Sequence, residues 1–178
     1  MNILVVNCGS SSQNFKVYHA SESGETEDIL FGKAHNVATA TRGGGRIEWQ
    51  ANGKMQVKDI NLPTHQHAAR ECIHILQQNS VNIDAIGHRF VHGGTWLTET
   101  TLVTEESLKM LEKCLHLATI HNPNSLSVVQ VYRDEYPQVP QFVVFDTQFH
   151  ADLPEAARRY ALPQDLVDRF GFLKYGIK

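Results

Sequence analysis

The sequence predicts an α/β domain with a mixed sheet flanked by helices. Three observations carry that expectation. Up to Pro63 the chain reads as short alternating runs separated by turn signals, the pattern of strands and hairpins. Beyond Pro63 the apolar spacing lengthens to the helical period. Between the helical stretches lie short apolar runs, which suit strands inside a layered sheet.

In order, residues 3–6 and 15–18 form the first two expected strands, flanking the turn Asn7-Cys8-Gly9-Ser10-Ser11-Ser12. A third covers 27–34. Residues 46–50 and 54–60 enclose Asn52-Gly53, the strongest short hairpin signal, because both central residues must take positive φ. Arg42-Gly43-Gly44-Gly45 reads as the loop before that hairpin. Thr64 caps an expected helix running to about Asn79, with Ala68, Ala69, Cys72, Ile73 and Leu76 on one side. Residues 83–90 form a short strand, followed by Gly93-Gly94. Thr104 caps a second helix, with Glu105 and Glu106 in its positive first turn and Leu108, Leu111 and Leu115 repeating along it. A third helix is expected from near Asn124 to just before Pro137, which lacks the N–H to continue it. The apolar run 142–145 reads as a buried parallel strand. Residues 151–172 suit one or two short helices broken at Pro163, and 173–177 a final strand.

Composition narrows the function. Hydrophobic content of 42% and charged content of 20% are those of a soluble globular protein. With 178 residues, one domain or one domain plus part of a second is expected. A net charge of −3 offers no basic surface, so nucleic acid is not an expected partner. No apolar run approaches the length of a signal peptide or membrane span, so no membrane partner is expected. Cys8, Cys72 and Cys114 are odd in number and far apart, which reads as free thiols in a reducing, cytoplasmic setting.

The strand ends carry the chemistry. Three apolar runs terminate in polar residues: Val6 leads into Asn7, Gly87-His88 into Arg89, and Phe145 into Asp146. Ligands of open α/β sheets bind off the carboxyl ends of the strands, so one rim is expected to gather all three. The serine turn is either a phosphate nest, with N–H groups of 9–12 and the Ser10 and Ser12 hydroxyls as donors, or a polar hairpin turn without a ligand. Arg89 suits a carboxylate or phosphate clamp, or else pairs with a surface acid. His88 and His92, four apart, leave a zinc site as a weaker alternative with no third ligand at an obvious spacing. His121 is a donor to developing charge or an ordinary loop histidine. Asp146 binds Mg²⁺ or orients a reacting group, or else caps the helix after it.

Taken together, these stretches resemble the acetate kinase family. Its Asn-x-Gly-Ser-Ser-Ser motif appears at residues 7–12, and its His-Arg-Val-Val-His-Gly-Gly as His88-Arg89-Phe90-Val91-His92-Gly93-Gly94. Leu-His-Asn-Pro appears as Ile120-His121-Asn122-Pro123, and Phe-Asp-Thr-Ala-Phe-His as Phe145-Asp146-Thr147-Gln148-Phe149-His150. The resemblance implies an actin-like, sugar-kinase-like (ribonuclease H-like) fold and reversible transfer of the ATP γ-phosphoryl group to a short-chain carboxylate. It implies Mg²⁺, with ATP as co-substrate, and a homodimer for the intact protein.

By matching position, Asn7, Ser10 and Ser12 would hold phosphate, with Lys16 as the nearest lysine. Asn7 and Asp146 would hold the metal. Arg89 would grip the carboxylate or the migrating phosphoryl group, and His121 would steady the transition state. Val91, Ile120 and Ile177 would line the acyl pocket. Residues 1–150 would form the acyl-substrate and phosphate domain, and 151–178 the crossover into a nucleotide-binding domain that is mostly absent.

Two departures stand out. Asn14 occupies a position where the family has lysine, and Lys178 one where it has histidine. At about the front half of the family's usual length and without its adenosine-binding motifs, the chain resembles one half of such a kinase, expected to be inactive alone. A non-catalytic phosphate- or carboxylate-binding module on the same scaffold is the alternative. A sugar-hydroxyl kinase of the same superfamily is a third reading, less suited to Arg89 and a small apolar pocket. Acetate is not distinguished from propionate or butyrate.

Overall fold

A computed structural model describes residues 1–39 and 44–176. Arg42 and Gly43 of the expected glycine loop, and Ile177 and Lys178, lie outside the described residues.

Among the described residues eight strands form one sheet: β1 (Asn2–Cys8), β2 (Ser12–Ala20), β3 (Thr26–His35), β4 (Gly45–Ala51), β5 (Lys54–Ile60), β6 (Ala85–Phe90), β7 (Thr101–Leu102) and β8 (Gln141–Phe145). Their order is β5-β4-β3-β2-β1-β6-β8-β7. β1, β6 and β8 run parallel, while β2, β3, β4 and β5 follow one another antiparallel, so the mixed sheet expected from the sequence is present. The hairpin at Asn52-Gly53 has φ of 51° and 72°, the mirror-image turn that the dipeptide favours.

The principal helices are α1 (His65–Gln78), α2 (Glu105–Lys113) and α3 (Asn122–Glu135). Thr64 and Thr104 cap the first two by accepting from the backbone of His67 and Ser107. α3 begins ahead of the expected position near Asn124, because Pro123 fits the first turn, where its missing N–H has no intrahelical partner. α2 ends at Lys113, and Leu115 lies in a separate 3₁₀ turn, Leu115–Leu117, rather than on the helix.

One face of the sheet packs against α1 and α3 through Leu4, Val6, Phe15, Ile86, Cys72, Ile73 and Tyr132. A second cluster joins Phe90, Val143 and Phe145 to Leu108, Leu111 and Val129. The other face differs from expectation. β8 is parallel to β6, but Phe142 and Val144 are 36% and 45% exposed, so the strand is buried on one side only. Successive strand residues point to opposite faces, and Val5 lies exposed in the same layer.

The segment after β8 holds the two short helices anticipated around Pro163, α4 (Glu155–Arg158) and α5 (Gln164–Phe170). The final strand expected at 173–177 is not formed in its described part. Leu173 makes one antiparallel bridge to Arg159, and the backbone then leaves extended geometry at Gly176, whose φ is 72°.

Candidate functional site

The parallel arrangement of β1, β6 and β8 brings their carboxyl ends side by side. At that rim the Arg89 guanidinium donates through Nε to Asp146 Oδ1 at 2.9 Å and through Nη2 to Asp146 Oδ2 at 2.5 Å. Its Nη1 donates to Asn7 Oδ1 at 3.2 Å. Three residues separated by 82 and 57 positions along the chain thus meet on one guanidinium. The pair is part-buried, at 35% and 30% side-chain exposure, and Asp146 strengthens the hold of Arg89 on its proton. The partner of Arg89 is therefore the rim aspartate, not an unrelated surface acid.

The serine turn sits beside Asn7. Gly9 N–H donates to Ser12 carbonyl at 2.8 Å, so this N–H, one of the donors expected in the anion nest, closes the hairpin instead. Val37 N–H in turn donates to the Ser11 carbonyl at 2.9 Å. Ser10 is exposed and Ser12 half-buried. The missing Gly9 side chain leaves room for the Ser12 hydroxyl, which would lie 3.2 Å from a Cβ there. Lys16 is not brought to this rim. Its Nζ pairs with Asp28 on β3 at 2.8 Å and lies over the Tyr18 ring at 4.6 Å, and these two residues face each other farther from the turn.

The loop after β6 is fixed by side chains that sequence reasoning did not single out. Fully buried Asn122 donates through Nδ2 to the carbonyls of His92 at 3.0 Å and Cys114 at 2.7 Å. Its Oδ1 accepts from His92 N–H at 3.3 Å. Gly93 N–H donates to Thr147 Oγ1 at 3.3 Å, tying the glycine pair to the residue next to Asp146. A Cβ on Gly93 would meet the Leu97 carbonyl oxygen at 2.1 Å, so this glycine answers to close approach. Asn122 and Thr147 stand beside His121 and Asp146 in the sequence, but no local pattern marks either as a backbone anchor.

Val91 and His121 line one cleft of 510 Å³, together with His92, Tyr160, Lys174 and Tyr175. The Tyr175 ring lies 4.4 Å from that of His92, so the chain after α5 folds back over this cleft. His121 Nδ1 is buried with no hydrogen-bond partner among the described residues. Ile120 is 65% exposed and outside the lining, and Ile177 lies outside the described residues.

The two histidines of the zinc alternative separate. His88 points into the core, where its Nε2 lies 2.8 Å from Gln141 Oε1 and its ring meets Tyr132, whereas His92 faces Tyr175. No group of three or more His, Cys, Asp or Glu side chains suited to a metal occurs among the described residues. The rim nevertheless fits Mg²⁺. Asp146 and Asn7 offer hard oxygens converging on one cationic group, and Mg²⁺ is commonly held by one or two protein oxygens with water completing its shell. All three cysteines are buried and free, as expected, and burial pushes the Cys8 thiol up to about 12, which keeps it neutral and unreactive.

Burial pulls His88 down to about 4, and its bond to Gln141 only partly opposes this. The unfolded chain protonates near 6.5, so between pH 6.5 and 4 the unfolded state binds a proton that the folded state refuses. The His88 contribution is thus fully present above 6.5 and falls with decreasing pH, by about 3 kcal/mol at pH 4. Urea denaturation of the wild type is expected to show this loss, and His88→Gln should flatten the slope by a similar amount. An unchanged slope in the variant would refute the assignment.

The strand order, the one-sided helical layer and the polar ends of three parallel strands define an α/β domain of the actin-like type, with the Asn7, Arg89 and Asp146 rim beyond β1, β6 and β8. The sequence profile of the Acetokinase family matches residues 2–178, and the chain belongs to that family. An acetate kinase of Chromobacterium violaceum is 36% identical over 178 residues, covering 99% of this chain and 43% of that protein. The crystal structure of an acetate kinase from Entamoeba histolytica superposes with a TM-score of 0.79 at 35% identity, covering 99% of this chain and 42% of that one. That of a propionate kinase from Francisella tularensis gives 0.84 at 31% identity, covering 98% and 44%. The chain spans less than half the length of these relatives.

Proposed function

We propose that this chain supplies the carboxylate- and phosphoryl-handling half of an ATP-dependent acyl kinase, which transfers the γ-phosphoryl group reversibly to a short-chain carboxylate such as acetate. The observation that carries the reading is the convergence of Asn7, Arg89 and Asp146 at the ends of three parallel strands. Phosphoryl transfer depends on positioning and charge neutralisation more than on covalent help from the protein, and a guanidinium, an aspartate and nearby serine hydroxyls are suited to that task.

The substrate carboxylate oxygen forms the new O–P bond while ADP departs with the electron pair of the old one. The carboxylate is ionised at neutral pH, so no strong general base is required. Arg89 grips the carboxylate or the transferring group, Ser10 and Ser12 donate to phosphate oxygens, and His121 donates to charge developing beside the Val91 cleft. Asn7 and Asp146 would hold Mg²⁺, which would supply charge neutralisation to the phosphates.

ATP binding is assigned to a partner half outside these 178 residues, into which residues 151–178 lead. The homodimer, the cytoplasmic setting and small-molecule ligands without nucleic acid or membrane belong to the same proposal. No helix among the described residues is long and apolar enough to cross a membrane.

ATP, Mg²⁺ and acetate or propionate, with hydroxylamine trapping acyl phosphate, test the proposal. The expected result is no hydroxamate from this chain alone, alongside calorimetric binding of acetate or phosphate. Asp146-dependent product from the isolated chain would overturn the division into halves, and absence of anion binding would overturn the reading. The alternative of a non-catalytic binding module is favoured by Lys16, whose pairing with Asp28 takes it out of reach of the serine turn. It predicts anion binding without turnover in the intact gene product.

A further inference from the structure

Arg89 engages both oxygen donors assigned to the metal. The same guanidinium that forks onto the Asp146 carboxylate also reaches Asn7 Oδ1, so it occupies the place of a cation between them. Three of its five N–H donors are spent in these bonds, including the parallel Nε and Nη2 pair, one of the two forks that a guanidinium offers a carboxylate. We infer that Arg89 is an internal stand-in for the divalent ion, and that metal and anion binding are coupled through its release. This rests on the acyl kinase reading given above.

The coupling follows from counting what each ligand must break. A cation binding first must displace the guanidinium from Asp146 and Asn7. An anion that takes the Nε and Nη2 fork first must draw the same guanidinium away from the same carboxylate. Whichever ligand arrives first meets the full cost of separating Arg89 from Asp146, and the second meets none of it. The two ligands therefore help each other bind, and the factor must be identical in both directions. The half-buried position makes the switch feasible: a pair 35% and 30% exposed is open to entering ligands, yet partly shielded from the screening that weakens fully exposed ion pairs. In the turn beside Asn7, Ser10 and Ser11 are both exposed.

The measurement is binding, not catalysis, on the 178-residue chain. Acetate and inorganic phosphate are titrated calorimetrically at matched ionic strength, without divalent ion and with saturating Mg²⁺. Mn²⁺ titrated with and without acetate, followed by electron paramagnetic resonance, gives the reciprocal arm. The expected result is tighter anion binding by roughly 5- to 150-fold with metal present, and an equal gain for Mn²⁺ when acetate is present.

Asp146→Asn, nearly the same shape, should bind the anion more tightly than wild type in the absence of metal and lose the dependence on it. Arg89→Gln should bind Mn²⁺ more tightly in the absence of anion, again without coupling. Circular dichroism melts verify that both variants fold. Equal anion affinity with and without metal, while Mn²⁺ binds, would overturn the coupling and leave the acyl kinase reading standing. Failure of acetate and phosphate to bind under every condition, in Asp146→Asn as well, would overturn both.

Discussion

Arg89→Ala is expected to weaken binding of acetate or phosphate in the presence of Mg²⁺ by roughly 10- to 150-fold, because a hydrogen bond to a charged group contributes about 1.5–3 kcal/mol. The guanidinium is the cation at the meeting point of β1, β6 and β8, and its fork matches a carboxylate or phosphate edge. Lys16 does not substitute for it, being paired with Asp28. Stability should fall far less, since a part-exposed ion pair contributes only about 1 kcal/mol. Binding and folding are thus separable in one variant. Arg89→Lys, which keeps the charge and loses the fork, should recover part of the affinity. Isothermal calorimetry with a parallel thermal melt decides the matter: unchanged affinity in a folded Arg89→Ala protein would remove Arg89 from the site.

The largest stability effect is expected at Asn122. Truncation to alanine deletes three hydrogen bonds at a fully buried position and leaves the His92 N–H and carbonyl without their partner, while the Cys114 carbonyl keeps the bond from Leu117 N–H. Each buried group left unsatisfied costs about 1–3 kcal/mol, so a total of about 3–5 kcal/mol is expected after partial relaxation. For a chain of this length that lowers Tm by roughly 10 °C. Asn122→Asp should also be damaging, because a carboxylate accepts but cannot donate to two carbonyls. Anion binding should decline even below the melting transition, since His92 and Gly93 belong to the loop that follows Arg89 and is tied to Thr147. A loss under about 1 kcal/mol in urea denaturation would show that water replaces the amide without penalty.

These two residues illustrate how differently the site was written into the chain. Arg89, Asp146 and Asn7 stood out because each follows an apolar run, and strand ends are visible locally. Asn122 did not, because its partners are 30 and 8 positions away and nothing local distinguishes an anchoring asparagine from a helix-start residue. The His121 ring draws the eye as a donor, while its neighbour Asn122 carries the loop. The Asn52-Gly53 hairpin, the threonine caps of α1 and α2 and the break at Pro163 were legible for the same reason as the strand ends. Each depends on backbone geometry within a few residues.

The amino-acid order alone determined the alternation of strands and helices, the turn chemistry and the placing of polar groups after three apolar runs, since these follow from short-range sterics, capping and periodicity. Tertiary structure decided which strand lies beside which, and with it nearly everything chemical. Parallel pairing of β1 with β6 and β6 with β8 turned three distant strand ends into one rim, directed His88 into the core, and left Phe142 and Val144 on an uncovered face. Side-chain direction likewise sent Lys16 toward Asp28 rather than toward the serine turn. Contacts between residues far apart in the chain depend on register and on which surfaces are buried, and a local pattern cannot specify either.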